Sequence, residues 1–166
     1  MNKKALFIGR FQPFHKGHLH ALEGILADGY EVIMALGSTQ ESHTLMNPLT
    51  VEERKDIIKR VWPKVREIYE VPDINDDKAW VKHVESIVPE FGPVYSGSEY
   101  VQRLFREDGG HEVIPVDFLD GVSATKVRSL VMEEGDFEEF LPKATYEYLK
   151  QMDFGDRLSQ CMISCE

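Results

Sequence analysis

Two short apolar runs, residues 4–9 and 31–36, flank a stretch of helical periodicity, and this spacing constrains the fold more than any other feature of the chain. Between them Leu19, Leu22, Ile25 and Leu26 recur every three or four residues, which gives a helix from His18 to Asp28 one apolar face, closed by Gly29. Two strands joined by such a helix must run parallel, because the connection crosses back over the sheet. The alternation continues downstream. Thr50 and Glu53 have the spacing of a capping box ahead of Ile57, Ile58 and Val61, so a second helix should end before Pro63. A strand is then expected over Val65 to Val71, a helix over Ala79 to Val88 and a short strand at Val94 and Tyr95. A helix over Tyr100 to Arg106 and a strand at Val113 and Ile114 come next, followed by a helix from Thr125 to Glu134 stopped by Gly135. Pro142 opens one more helix, to about Met152. The predicted class is α/β, with a mostly parallel sheet covered by helices on both faces. Residues 1–152 are expected to form a single domain, and 153–166 a C-terminal tail to which no element is assigned.

Composition narrows the function. A formal net charge of −10 over 166 residues argues against non-specific nucleic-acid binding, which depends on a basic face. A phosphate ligand would therefore be held in a local basic pocket, where His, Arg, Lys and Gly converge. The apolar run near the N-terminus is too short for a signal-peptide core, and no stretch approaches a membrane span. No membrane association is expected. Cys161 and Cys165 read as reduced thiols, which together with the missing signal predicts a cytoplasmic protein.

The richest candidate site joins the first strand to the first helix: Gly9-Arg10-Phe11-Gln12-Pro13-Phe14-His15-Lys16-Gly17-His18. In an open parallel sheet, ligands bind beyond the carboxyl ends of the strands. Gly9 and Gly17 allow backbone to approach a ligand, the helix start offers unpaired N–H groups to an anion, and His15, His18, Arg10 and Lys16 add donors and charge. This is a phosphate cradle by composition. The same residues also fit a structural His pair, or a metal site using His15, His18 and His20, although no Cys or carboxylate stands at ligand spacing. Neither a Walker loop nor a dinucleotide fingerprint is present. A second stretch, Ser123-Ala124-Thr125-Lys126-Val127-Arg128, places hydroxyls before a helix with basic residues in its first turns, which suits either a helix cap or an anion site.

His15-Lys16-Gly17-His18 after a strand resembles the HxGH signature of nucleotidyltransferases, and the longer run from Gly9 is similar to the archaeal type of nicotinamide-nucleotide adenylyltransferase. Ser123, Thr125 and Arg128 resemble that superfamily's second signature, with Ala124 where Ser or Gly is usual. Further stretches extend the likeness: Gly37-Ser38-Thr39-Gln40 with Ser42-His43-Thr44, Asn47-Pro48-Leu49-Thr50 with Arg54, Ile74 to Trp80, and Tyr95-Ser96-Gly97. The resemblance implies a Rossmann-like nucleotidyltransferase fold and transfer of AMP from ATP to nicotinamide mononucleotide (NMN), giving NAD and pyrophosphate, with Mg²⁺ accompanying ATP and no metal held by protein ligands. It assigns catalysis to His15, His18, Arg10 and Arg128, and ATP binding to Gly9, Phe11, Gly17, Tyr95, Ser96, Gly97, Ser123 and Thr125. The mononucleotide falls to Ser38, Arg54, Asp77 and Trp80, the last stacking on the nicotinamide ring.

Taken alone, Thr50 reads equally as a cap, Arg54 as a surface charge and Trp80 as core. Asp77 stands where the family pattern has Asn; it is either a solvated helix-start acid or a carboxylate facing the pyridine ring, which would favour the amide over the acid. A homo-oligomer is expected, although the tail after Met152 lacks the family's basic C-terminal helix. The alternatives are adenylyl or cytidylyl transfer to another phosphate acceptor, such as phosphopantetheine, and a nucleotide-binding sensor without turnover.

Overall fold

The computed structural model describes residues 3–116 and 119–165. Its elements run β1 (Lys4–Gly9), α1 (Lys16–Ala27), β2 (Glu31–Gly37), α2 (Val51–Val61), β3 (Ile68–Val71), α3 (Asp77–Ile87), β4 (Val94–Ser96), α4 (Glu99–Asp108) and β5 (Val113–Pro115). They continue through α5 (Ala124–Met132), a single 3₁₀ turn (Glu138–Phe140), α6 (Lys143–Gln151) and α7 (Phe154–Ile163). The strands form one sheet in the order β3-β2-β1-β4-β5, and every pairing is parallel.

The period-two alternation along the strands builds a core on each face. Ala5 and Phe7 of β1, with Met34 and Leu36 of β2, pack against Leu22 and Ile25 of α1, Ile57 and Ile58 of α2, and the C-terminal helices. Leu6, Ile8, Ile33 and Ala35 point the other way, onto Trp80, Val81 and Val84 of α3 and onto Leu104 and Phe105 of α4. Buried side chains of this size contribute roughly 1.5–3 kcal/mol each, so both helical layers are held mainly by this packing. The α/β class and the two covered faces agree with the sequence pattern.

The differences lie at element ends, and each has a local cause. The first helix begins at Lys16 rather than His18, because His15 is its N-cap. The third strand is limited to Ile68–Val71, since Val65 N–H closes a turn onto the Trp62 carbonyl. The helix expected to stop at Gly135 ends at Met132; Glu134 takes the left-handed conformation at φ 55°, and Gly135 N–H bonds the Leu130 carbonyl. A Cβ on Gly135 would lie 3.2 Å from a Leu130 methyl, so glycine serves close packing there. Beyond Met152, where no element was assigned, α7 buries Phe154, Leu158 and Cys161 along one stripe. Arg157 of α7 binds Glu53 through both guanidinium nitrogens, at 2.8 and 2.9 Å, and donates to the Pro48 carbonyl.

Sheet order reverses between β1 and β4, where the chain crosses from one edge to the other. Loops leaving these two strands diverge and open a crevice. The first motif leaves β1 there and Gly97 and Ser98 follow β4, while the second motif reaches the crevice from beyond β5.

Candidate active site

His15 and His18 form a reciprocal cap at the start of α1. The His18 amide donates to His15 Nδ1 at 3.3 Å, and the His15 amide donates to His18 Nδ1 at 3.1 Å. The rings stack at 3.7 Å between centroids, backed by Phe11 and Phe14 at 4.6 and 5.3 Å from the His18 ring. With each Nδ1 accepting, each neutral ring carries its proton on Nε2 and is a donor there. Burial pulls the His15 pKa from 6.5 down to about 4, while burial and then His15 hold His18 well below its ordinary value. Neutral donors at physiological pH result.

This arrangement predicts a pH-dependent stability. The unfolded chain binds protons on these histidines that the native state refuses, so stability rises with pH between about 4 and 6.5 and is lost as pH falls through that window. His15 alone accounts for roughly 3 kcal/mol. Urea midpoints measured against pH should show the slope, reduced in His15→Asn, which keeps a capping acceptor but cannot titrate. An unchanged slope in that variant would contradict the buried neutral ring.

Two cavities meet at the crevice and share a wall of Ile8, Gly9, Arg10 and Ser98. The smaller, about 330 Å³, brings together His15, His18, Phe11, Ser96 and Gly97 with Ser123, Thr125 and Arg128 of the second motif. Ser123 caps α5, accepting from Lys126 N–H at 3.0 Å. Arg128 is 7% exposed and donates to the Gln12 carbonyl at 2.8 Å, so it ties the two motifs together across the crevice. Burial, then the charge of Arg10, lowers its pKa. Cationic groups crowded around a helix N-terminus make a site for a polyanion.

The larger cavity, about 440 Å³, is lined by Gly37 and Ser38, by Asp73 to Asp76, and by Trp80, Tyr100 and Val101. Ser38 Oγ and Gln40 Nε2 both donate to Asp73 Oδ2, at 2.8 and 2.9 Å. Phe11, Ser38 and Asn75, which all line the crevice, have positive φ without being glycine. Such conformations gather where surrounding structure fixes a site. Trp80 is part of the core, 6% exposed with its ring meeting Phe105 edge-on, and it also forms part of the cavity wall.

Several residues sit elsewhere than the resemblance implies. Arg54 is fully buried and lines neither cavity. Its guanidinium donates to the carbonyls of Arg10, Gly37 and Ser38, so it braces the ends of β1 and β2 from below, and its Nε has no partner among the described residues. Burial and then Arg10 draw its pKa down to about 10. Tyr95 turns toward α1, lining a pocket with His20 and Asp28, because the strand alternation points it into the α1 layer. Asp77 is half exposed and outside the crevice: Tyr100 donates to its Oδ1 and Arg103 lies 3.4 Å from its Oδ2. Both of its oxygens are thus engaged by side chains of α4. Gly17 is buried inside α1, and a Cβ on Gly9 would meet the Phe11 ring at 3.3 Å, so Gly9 admits that ring.

Sequence reasoning did not single out Gln12, Asp73 or Ser98. Gln12 is 2% exposed, and its amide both donates to the Leu49 carbonyl and accepts from the Leu49 N–H. A polar residue beside Pro13 gives no signal of such burial. Among the described residues no group of three or more His, Cys, Asp or Glu is placed to hold a metal ion, and no helix is long and apolar enough to cross a membrane.

A Rossmann-like sheet with a basic cavity at its reversal point is the frame of a nucleotidyltransferase. Residues 6–130 match the cytidylyltransferase-like family, and the chain belongs to it. It is similar over nearly its whole length to proteins named nicotinamide-nucleotide adenylyltransferase: 40% identical over 169 residues to that of Pyrococcus abyssi, covering 98% of this chain and 91% of that one. The Thermoplasma acidophilum protein of that name is 38% identical over 170 residues, covering 99% and 94%. Among solved structures, a bifunctional NMN adenylyltransferase/ADP ribose pyrophosphatase from Francisella tularensis superposes with a TM-score of 0.76 at 25% identity, covering 96% of this chain. The chain spans about half, 52%, of that bifunctional protein, which has also been solved with AMP and a manganese ion at a TM-score of 0.77.

Proposed function

We propose that this chain transfers the AMP moiety of ATP to the phosphate of NMN, giving NAD and pyrophosphate. The observation that carries the reading is the pair of cavities sharing one wall at Ile8, Gly9, Arg10 and Ser98, one basic and the other walled by Trp80. ATP lies along the basic cavity and NMN in the larger one, so that the acceptor phosphate meets the α-phosphorus at the common wall. An oxygen of that phosphate forms the new bond to the α-phosphorus as the bond to the bridging oxygen of the β-phosphate breaks, and the electron pair leaves on pyrophosphate. A phosphate monoester is already an anion near neutral pH, so neither a general base nor a protein nucleophile is required.

The protein's part is alignment and donors aimed at growing negative charge. His15 and His18 offer Nε2–H groups that stay neutral, Arg10 and Arg128 supply charge, and Ser123 and Thr125 with the α5 N-terminus hold the far phosphates. Arg54 acts from beneath by fixing the β1 and β2 ends. A divalent ion fits this cavity only as a companion of the polyphosphate, because the lining is His, Ser, Thr and Arg without a carboxylate. Mg²⁺ held by phosphates and water would offset charge on the departing pyrophosphate. A homo-oligomer is supported by the exposed Met162 and Ile163 at the end of α7, and a cytoplasmic location by the free thiols of Cys161 and Cys165.

Pyrophosphate release, measured with ATP or CTP against NMN, nicotinic acid mononucleotide and phosphopantetheine, tests the reading. ATP with NMN should be the preferred pair. Preference for CTP or phosphopantetheine would assign another transferase, and nucleotide binding without release would leave a sensor.

A further inference from the structure

The first turns of α3 and α4 meet across the rim of the larger cavity. Asp77 is the first residue of α3, and Trp80, one turn later, forms part of the cavity wall. On the first turn of α4, Tyr100 lines the same cavity although its side chain is half exposed. Two contacts hold that phenol in place, and a third joins its two partners. Its hydroxyl donates to Asp77 Oδ1, Arg103 pairs with Asp77 Oδ2 at 3.4 Å, and the Arg103 guanidinium lies 5.3 Å from the Tyr100 ring centroid.

Contacts this exposed contribute little to folding stability. What they do is fix a bulky side chain beside a cavity before any ligand arrives, and that saves binding the cost of ordering it. Resting on the reading of this cavity as the NMN site, we infer that Tyr100 is an affinity-determining wall for the nicotinamide end of NMN, and that Asp77 is the positioning residue that holds it there. The Asn expected by family pattern at position 77 would lack the charge that Tyr100 and Arg103 here share. Because Arg103 offsets that charge, Asp77 acts through Tyr100 and not on the substrate.

Steady-state kinetics on Tyr100→Ala, Tyr100→Phe and Asp77→Asn test this. Tyr100→Ala should raise KM for NMN about tenfold, with the effect on KM rather than kcat and with KM for ATP little changed. Tyr100→Phe and Asp77→Asn should each raise it roughly two- to fivefold, because the ring remains while its tether is lost in the first and stripped of its charge in the second. The kcat/KM ratio between the amide and acid mononucleotides should stay the same in Asp77→Asn. Unchanged KM for NMN in Tyr100→Ala would overturn the wall, and a changed amide-to-acid ratio in Asp77→Asn would overturn the positioning role. NMN binding followed through the fluorescence of the two tryptophans separates the two readings. A wild type that forms no NAD defeats the proposed function, while weaker NMN binding in Tyr100→Ala still supports the wall and equal binding overturns it.

Discussion

His18→Ala is expected to lower the rate of dinucleotide formation by roughly two orders of magnitude or more, the scale seen when one donor to a developing charge is removed. His18 lines the basic cavity, and its Nδ1 is occupied by the His15 amide, so its ring proton is committed to Nε2. The substitution also removes an acceptor from the start of α1, which should cost about 1–2 kcal/mol of stability. Rate and stability must therefore be measured on the same preparation. His18→Asn serves as the companion, since a short amide can accept from the capping N–H but does not place a donor where the imidazole Nε2 lies. Loss of turnover with a recovered cap is the expected pattern. Near-normal turnover in either folded variant would remove His18 from the mechanism.

Arg128→Ala is expected to lower kcat/KM for ATP by roughly 100-fold or more, as a buried charge-assisted contact to phosphate is lost. Burial and then the charge of Arg10 lower the Arg128 pKa, and a bound polyphosphate would relieve that repulsion. The same side chain donates to the Gln12 carbonyl and lies 3.4 Å from Thr125 Oγ1. Lysine cannot reproduce both contacts, because it offers a point charge in place of a planar fork, so Arg128→Lys should recover only part of the loss. Calorimetric titration with a non-hydrolysable ATP analogue reads the effect without turnover. Unchanged affinity in Arg128→Ala would mean that the side chain serves only the Gln12 contact.

How much of this was legible in the sequence depends on whether the signal is local. The strand and helix order follows from periodicity, and the Thr50–Glu53 cap appears as its spacing implies. The convergence of His15 and His18 with Ser123, Thr125 and Arg128 was reachable only by resemblance, since more than a hundred residues separate the motifs. Direction was not legible. Arg54, Tyr95 and Asp77 are the right residue types on the right elements, yet Arg54 points beneath the site, Tyr95 into the α1 layer and Asp77 onto Arg103. Whether an arginine braces backbone or binds ligand depends on carbonyls contributed by other strands, and no window of sequence holds both. The last helix was missed for a different reason. Phe154, Leu158 and Cys161 have helical spacing, but Gly155 in the first turn and the short segment weaken the pattern; the Arg157–Glu53 pair and burial against the core supply the rest.

Direct transfer across the wall shared by the two cavities is the central claim, and the configuration at phosphorus tests it most directly. ATP carrying sulfur at the α-phosphorus, of one known configuration, would be incubated with the protein and NMN, and the thio-dinucleotide analysed for mass and stereochemistry. The account predicts the thio-analogue of NAD with inverted configuration, from one in-line displacement. Retention would require a covalent adenylyl-protein intermediate, and absence of the dinucleotide would mean that no transfer to NMN occurs; either result would contradict the account.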